Sequence, residues 1–388
     1  MKKCVIIFDA SPRHTIEIVR SLHKKGIKIV AFASENLVPV KYSKYVSQFY
    51  RFSKPNNYSE SMNLINKLNK IQCEIIIPSG LWGFYFLSKY KKYFNVNVPV
   101  VDFLTFNKAF DKRATIKEST KINIPVPKTM FITKREDLNK IPKDFKFPIV
   151  LKAAEEWGSV KYANNIEEVY DFFNLIEKQF PDQIKNGKFP MVQEYINGEG
   201  YGYYALMDHG KLKADFMHKR LREFPPTGGP SSLAKSFYDY KLKEYGEKIL
   251  KHMNWHGVAM VEFKKDNRDG KYKIMEINPK FWGSLALSKR SGIDFPLLLY
   301  KVGMNQKFSS ITSFKGNVKF QWFTLDLAHC ISKKNLTLYI KTLLNRSIYN
   351  DIYIDDIMPS IILFIKSIKT FYSKEKKFPH GRPIINKQ

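Results

Sequence analysis

Two acids and an amide, Glu262, Glu276 and Asn278, stand in two apolar runs separated by the turn signal Asn267-Arg268-Asp269-Gly270. If the runs are adjacent strands, residues 276 and 278 share a face by the two-residue strand period, and the three oxygen donors can converge. Hard oxygen donors with no Cys or His nearby suit Mg²⁺, which takes a few carboxylates together with phosphate oxygens and water. An ordinary hairpin with solvated acids is the alternative, but Glu276 sits inside an apolar strand and Pro279 follows soon after. Cations complement the acids. Lys152 ends the apolar run Phe147 to Ala153, where an ammonium is costly to bury unless it meets an anion, whereas Lys112 alone reads as a solvated helix lysine. The strand ending Gln193-Glu194-Tyr195-Ile196 runs into Asn197-Gly198-Glu199-Gly200, a turn whose acids could hydrogen-bond an adenine amino group or ribose hydroxyls. Arg220, Arg222 and the loop Thr227-Gly228-Gly229-Pro230-Ser231-Ser232 combine guanidinium groups with backbone N–H groups that can approach an anion closely.

Other chemistries find little support. There is no GxxxxGK[ST] phosphate loop, no GxGxxG fingerprint after the first strand, and no Ser/His/Asp or Cys/His arrangement. His252 and His256 lie four apart, but no third ligand of matching spacing follows, so both read as structural.

These residues need a scaffold. Residues 1 to about 105 alternate strand and helix: strands at Lys3 to Phe8, Ile27 to Ala33, Gln48 to Phe52, Glu74 to Pro78 and Val98 to Val101, with helices at His14 to Lys25, Ser59 to Ile71 and Leu81 to Tyr93. That alternation predicts a parallel sheet covered by helices, a Rossmann-like domain over 1–105. The texture then changes. A helix over Phe106 to Lys121 ends at Pro125-Val126-Pro127, and strands are expected at Lys128 to Thr133, Phe147 to Ala153 and Pro190 to Ile196, with a helix at Ile166 to Phe180. Tyr201 to Met207 and Leu212 to His218 read as antiparallel strands around the Asp208-His209-Gly210 turn, followed by a loop over 221–232, a helix from Tyr238 to Met253 and the two acid-bearing strands. Met358 to Tyr372 reads as an apolar helix that completes the core rather than one lying on a membrane surface.

Composition limits the function classes. With 388 residues, 44% hydrophobic and 15% aromatic, the chain can bury a core, and global disorder is excluded. No stretch approaches the roughly 18 uninterrupted apolar residues of a spanning helix, and the run after Met1-Lys2-Lys3 is too short for a secretory signal. Cys4, Cys73 and Cys330 are far apart, so neither a disulfide framework nor a cysteine zinc site is expected, and a reducing cytoplasm is the default. The formal charge of +29 invites a nucleic-acid reading, yet the lysines are spread along the chain and Arg is scarce beside Lys, which suits a solvated surface better than a basic arm. No nucleic-acid partner is expected.

Taken in order, DK…IPVPKT (111–129), FPIVLK (147–152), VQEYINGEG (192–200), PPTGGPSS (225–232), VEF (261–263) and MEINPKFWGS (275–284) resemble the ATP-grasp superfamily, to which D-alanine ligase, biotin carboxylase and the carbamoyl phosphate synthetase large subunit belong. The resemblance covers roughly residues 1–305. It implies an α/β and α+β protein: the N-terminal Rossmann-like domain, an ATP-grasp domain over 106–305 with subdomains at about 106–195 and 196–305, and a C-terminal helical extension over 306–388. By this likeness Lys112 and Lys152 hold ATP phosphates, Glu194, Tyr195 and Ile196 form the adenine hinge, Glu199 binds ribose, and Glu262, Glu276 and Asn278 hold Mg²⁺, with Mn²⁺ as a substitute. Two departures follow. Lys280 replaces a usual Arg and loses its bidentate fork, and the loop 153–162 has one glycine where relatives often have several, leaving Gly158 and Ser159 to form the lid over ATP.

The implied reaction is activation of a carboxylate as an acyl phosphate followed by coupling to an amine, with Arg222 and Lys280 as catalytic cations and Gly228, Gly229, Ser231 and Ser232 toward the substrate. Small-molecule carboxylate and amine partners and a homodimer are expected. Bicarbonate activation, and a non-catalytic nucleotide- or polyanion-binding role, are the alternatives.

Overall fold

The computed structural model describes residues 3–154, 160–226 and 228–372. Two units emerge, one from Met1–Phe106, Gly202–Met260 and Asn278–Phe371, the other from Asn107–Tyr201 and Val261–Ile277.

In the first unit, strands β1 (Cys4–Phe8), β2 (Lys28–Ala33), β3 (Gln48–Arg51) and β4 (Ile75–Pro78) form a parallel sheet of order β3-β2-β1-β4. β1 is buried along its whole length, as expected for a central parallel strand covered on both faces. Helices Thr15–His23, Tyr58–Asn69 and Leu81–Lys89 alternate with these strands, the second begun by the Asn57 side chain accepting the Glu60 N–H at 2.9 Å. The strand expected at Val98 to Val101 does not form. Asn97 makes one isolated bridge to Ile75, and Pro99, which has no N–H to donate, interrupts any ladder, although Val98, Val100 and Val101 are still buried.

The cysteine expectation is corrected: Cys4 and Cys73 are disulfide-bonded, with Cα atoms 4.6 Å apart. Sequence separation hid a spatial fact, since β1 and β4 are neighbours and the Glu74 N–H donates to the Cys4 carbonyl at 3.2 Å. Asp9 follows β1 with φ +56°, and its carboxylate accepts the Gly83 N–H at 2.9 Å. A Cβ on Gly80 would fall 2.0 Å from the Asp9 carboxylate oxygen, so glycine is required there.

The second unit contains an antiparallel sheet of β5 (Thr129–Phe131), β6 (Ile149–Lys152), β7 (Val160–Ala163) and β8 (Met191–Glu194), in the order β5-β8-β6-β7. Val169, Phe173 and Ile176, on one face of helix Ile166–Gln179, pack with Ile149, Leu151 and Val192 of the sheet in a closed apolar cluster. The single helix expected over Phe106 to Lys121 is two, Phe103–Phe110 and Lys112–Lys121. Asp111 divides them: its backbone is extended, and its carboxylate caps the second helix by accepting the N–H groups of Arg113 at 2.7 Å and Ala114 at 3.3 Å.

A seven-stranded sheet uses β9 (Gly198–Asp208), β10 (Lys211–Glu223), β11 (Ser231–Ser236), β12 (Gly257–Asp266), β13 (Tyr272–Asn278), β14 (Lys319–Gln321) and β15 (Ile348–Asn350), in the order β13-β12-β9-β10-β11-β14-β15. The loop expected at 221–232 is shorter than the Pro and Gly content suggested. β10 runs to Glu223 with register shifts after Arg220 and after Arg222, and it pairs there with β11, so Arg222, Ser231 and Ser232 are strand residues. The C-terminal extension is not wholly helical either, because β14 pairs with β11 and β15 with β14.

Candidate active site

The acids and lysines singled out in the sequence are placed by three local devices in the second unit. Asp111 starts the helix whose first residue is Lys112, and the Lys112 N–H donates to the Ala154 carbonyl at 2.8 Å, just past β6. The Lys112 side chain is 7% exposed, and its Nζ lies 4.0 Å from Oε2 of Glu276, itself 19% exposed. Lys152 ends β6 opposite Val160 of β7 and Met191 of β8. Glu262 and Glu276 are partly buried on β12 and β13, neighbours in the sheet, and Asn278 follows on β13 with the same facing as Glu276. Ser159 and Gly158 lie outside the described residues. Lys161 on β7 is buried, and burial holds its ammonium below the usual lysine value.

The segment after β8 is held by a charge network that sequence reading missed. Glu194 accepts the Lys128 N–H at 2.9 Å, Lys273 Nζ at 3.1 Å and Arg268 Nη2 at 2.7 Å. Arg268 and Lys273 also meet Asp266, at 2.6 and 2.8 Å. Burial pushes the Glu194 carboxyl up, but the Lys128, Arg268 and Lys273 donors outweigh it and leave it below the usual carboxylate range. Asp266 is likewise held low, chiefly by Arg268. Ile196 is buried with its carbonyl accepting Lys264 Nζ at 3.1 Å, and the same ammonium lies 5.2 Å from the centroid of the Tyr195 ring. Glu199 is exposed and accepts the Tyr201 hydroxyl at 2.9 Å. The only sequence signal for the network was the Arg268-Asp269-Gly270-Lys271-Tyr272-Lys273 run, read above simply as a turn.

The sign of the resulting pH dependence follows from the carboxylates. Their folded pKa values are depressed, so the stabilisation is complete above about pH 4, the ordinary carboxylate range, and is lost as pH falls through the lower folded values. Asp266→Asn is expected to flatten the fall in thermal midpoint on acidification below about pH 4. An unchanged acid profile would remove the network from the account.

Gly198, which opens β9, is the second position where glycine is obligatory: a Cβ there would lie 1.8 Å from the Lys265 carbonyl oxygen. Gly198→Ala is expected to separate these strand ends and cost about 1–3 kcal/mol, read by denaturant unfolding, with weakened nucleotide binding.

The first unit carries the other candidates. Lys280 is buried, and its charge reaches Asp9 and His14. Arg222 donates through Nη2 to Asp326 at 2.7 Å and to Thr342 at 3.0 Å, while Ser232 and Gln321 also donate to Asp326, at 3.1 and 2.7 Å. Ser232 is fully buried in this network, Ser231 is paired opposite Glu223, and Gly229 packs against the Phe224 carbonyl with its N–H 3.3 Å from Glu223. Gly228 has φ +124°.

A sequence-family profile described as "ATP-grasp in the biosynthetic pathway with Ter operon" matches residues 188–325. The chain is 27% identical to a D-aspartate ligase of Enterococcus faecium over 305 residues, 70% of either chain. Both findings agree with the ATP-grasp likeness carried by the sequence motifs. A carbamoyl phosphate synthase large chain of Thermoanaerobacter sp. is 24% identical over 56% of this chain, which spans only 21% of that protein. The fold is likewise similar to a Campylobacter jejuni biotin carboxylase, with a TM-score of 0.68 at 18% identity, covering 82% of this chain and 74% of the other. The chain has the mixed α/β architecture expected above.

His256 has partners that linear spacing could not show: Asp208 Oδ1 lies 3.3 Å from its Nδ1 and 2.9 Å from Nδ1 of His209, whose ring centroid is 4.2 Å from that of His256. Burial, with Lys91 and His209 nearby, lowers the His256 pKa to about 4, so the imidazole is neutral near pH 7.

Proposed function

We propose that this chain is an ATP-dependent ligase that activates a carboxylate as an acyl phosphate and couples it to an amine, releasing ADP and phosphate. The observation that carries this reading is the low-exposure Lys112–Glu276 pair, with Glu262 on the neighbouring strand, in a chain that matches a D-aspartate ligase over 70% of both lengths. Oxygen-only donors on β12 and β13 fit a hard divalent cation, and Glu262, Glu276 and Asn278 would hold Mg²⁺; the same set would accept Mn²⁺. Once bound, the ion supplies charge neutralisation at the transferring phosphoryl group.

The chain's own residues do the rest. Lys112 and Lys152 orient ATP phosphates. Glu194, Tyr195 and Ile196 border the adenine, where the buried Gln193 Oε1, which has no partner among the described residues, offers a further acceptor. Glu199 takes the ribose hydroxyls. Lys280 stabilises the γ-phosphoryl group as a point charge, and Arg222 acts from its Asp326-fixed position on the strand that leads toward Gly228, Gly229, Ser231 and Ser232 on the substrate side. A carboxylate oxygen attacks the γ-phosphorus and ADP leaves. The amine then attacks the acyl carbon and phosphate leaves with one of the original carboxylate oxygens. No side-chain nucleophile is needed.

The substrates are small molecules, the D-aspartate ligase match favours an amino acid among them, and a homodimer and a cytoplasmic location complete the proposal. A panel of carboxylates and amines incubated with Mg-ATP tests the reading: ADP release should require a particular carboxylate and rise with an amine. Release that ignores every carboxylate would overturn it. Bicarbonate alone stimulating hydrolysis would select the second reading, which the match to the carbamoyl phosphate synthase large chain favours.

A further inference from the structure

The C-terminal helix Ile357–Tyr372 has two apolar faces, and only one is covered. Ile362 and Leu363 are buried, and Phe364 stacks on Phe323 with ring centroids 6.2 Å apart. Ile357, Ile361, Phe364, Ile365 and Ile368 are nevertheless all exposed, and their spacing of four, seven, eight and eleven residues places them on a single stripe. The preceding segment repeats the pattern. Helix Leu336–Leu343 exposes Leu336 and Ile340, the stripe continues to Leu344 at 73% exposure, and Ile354 is 90% exposed. Scattered surface leucines need no explanation, but two helices with outward apolar stripes within forty residues do.

Charge selects what covers them. From Ile331 to the end, the sequence carries eleven Lys and Arg against four Asp and Glu. Of the acids, Asp351 and Asp356 are buried, and Asp355 is paired with Arg20 at 2.7 Å. Lys333, Lys334, Lys341 and Arg346 are exposed beside the stripes. A second copy of the chain would bring the same excess of positive charge against itself, and residues 373–388 are themselves basic, with five Lys and Arg against one Glu. An anionic lipid surface supplies both an apolar layer for the stripes and negative charge for the lysines. No helix among the described residues is long and apolar enough to cross a membrane.

We propose that the segment Ile331–Tyr372 adsorbs to anionic lipid surfaces, the outward stripe of the last helix entering the interface while the flanking lysines meet phospholipid headgroups. The helix lies in the plane of the surface. This would place the ligase chemistry beside a membrane without anchoring the chain through it, and it revises the expectation that the last helix serves only to complete the core.

The test uses the full chain with vesicles of phosphatidylglycerol and phosphatidylcholine, compared with phosphatidylcholine alone, by co-sedimentation. Binding is expected to the anionic vesicles and to fall as salt is raised from about 100 to 500 mM. The double variant Ile361→Glu/Ile365→Glu should lower the partition coefficient at least about tenfold. Ile354→Glu, at a side chain too exposed to support the fold, should weaken binding in the same direction with an unchanged circular dichroism spectrum. Absence of binding at low salt would overturn the proposal. So would a lipid-free dimer, seen by sedimentation equilibrium, that these substitutions dissociate, since the stripe would then join two copies of the chain.

Discussion

Glu276→Ala is expected to abolish Mg²⁺-dependent ATP binding and to lower turnover by about 10²–10³-fold, the usual scale for removing one preorganised electrostatic contact to a transferring group. Two effects combine. The substitution removes a proposed metal ligand, and it takes away the carboxylate 4.0 Å from the Lys112 ammonium, a side chain with little access to water. Lys112 would then be expected to lose its fixed orientation toward phosphate as well. Glu276→Gln separates the two, because it keeps the volume and one oxygen donor while deleting the charge. It should retain the fold, bind ATP more weakly and show a greater Mg²⁺ requirement. Titration of a fluorescent ATP analogue with and without Mg²⁺ reads both variants, and unchanged binding and turnover in Glu276→Ala would remove β13 from the metal site.

The second large effect is on stability. Asp326→Ala is expected to destabilise the chain by about 3–5 kcal/mol, because it leaves the Arg222 guanidinium, 10% exposed, without the carboxylate that pairs with it. Asp326 itself is wholly buried, and its three donors Arg222, Ser232 and Gln321 would all lose an acceptor. Burial raises the Asp326 carboxyl above its ordinary value, so desolvation outweighs the donors and their loss would leave the site more costly still. Arg222→Met with Asp326→Leu should recover most of the stability, since apolar residues of similar volume replace the whole pair. That double variant also separates roles. If Arg222 acts on substrate, turnover stays low after stability returns; if Arg222 only fixes β10, turnover returns with it. Urea unfolding and steady-state ADP release measure the two quantities.

Legibility in the sequence followed the range of the forces involved. The Rossmann-like alternation was readable because Cys4–Phe8, Lys28–Ala33 and Ile75–Pro78 are short apolar runs set by local periodicity. The acid-bearing strands were readable for the same reason, their two-residue period and the Asn267–Gly270 turn fixing β12 and β13 closely. What sequence could not show was long-range pairing. Cys4 and Cys73 are bonded across two strands 69 residues apart, and Arg222 meets Asp326 104 residues away. Nothing local to either residue marks its partner. The Glu194–Arg268–Lys273–Asp266 network was hidden in the same way, as charged residues in a turn look solvated until the strand holding Glu194 is set beside them. Proline and glycine misled in the opposite direction: their density after Arg220 suggested a long loop, whereas tertiary pairing with β11 carries β10 through to Glu223.

The central claim is that a carboxylate is activated by direct phosphoryl transfer. An ¹⁸O-labelled carboxylate, supplied with Mg-ATP and the amine that supports turnover, tests it by mass spectrometry of the released phosphate. The account predicts ADP together with inorganic phosphate carrying one ¹⁸O from the carboxylate. Unlabelled phosphate, or AMP and pyrophosphate in place of ADP, would contradict it.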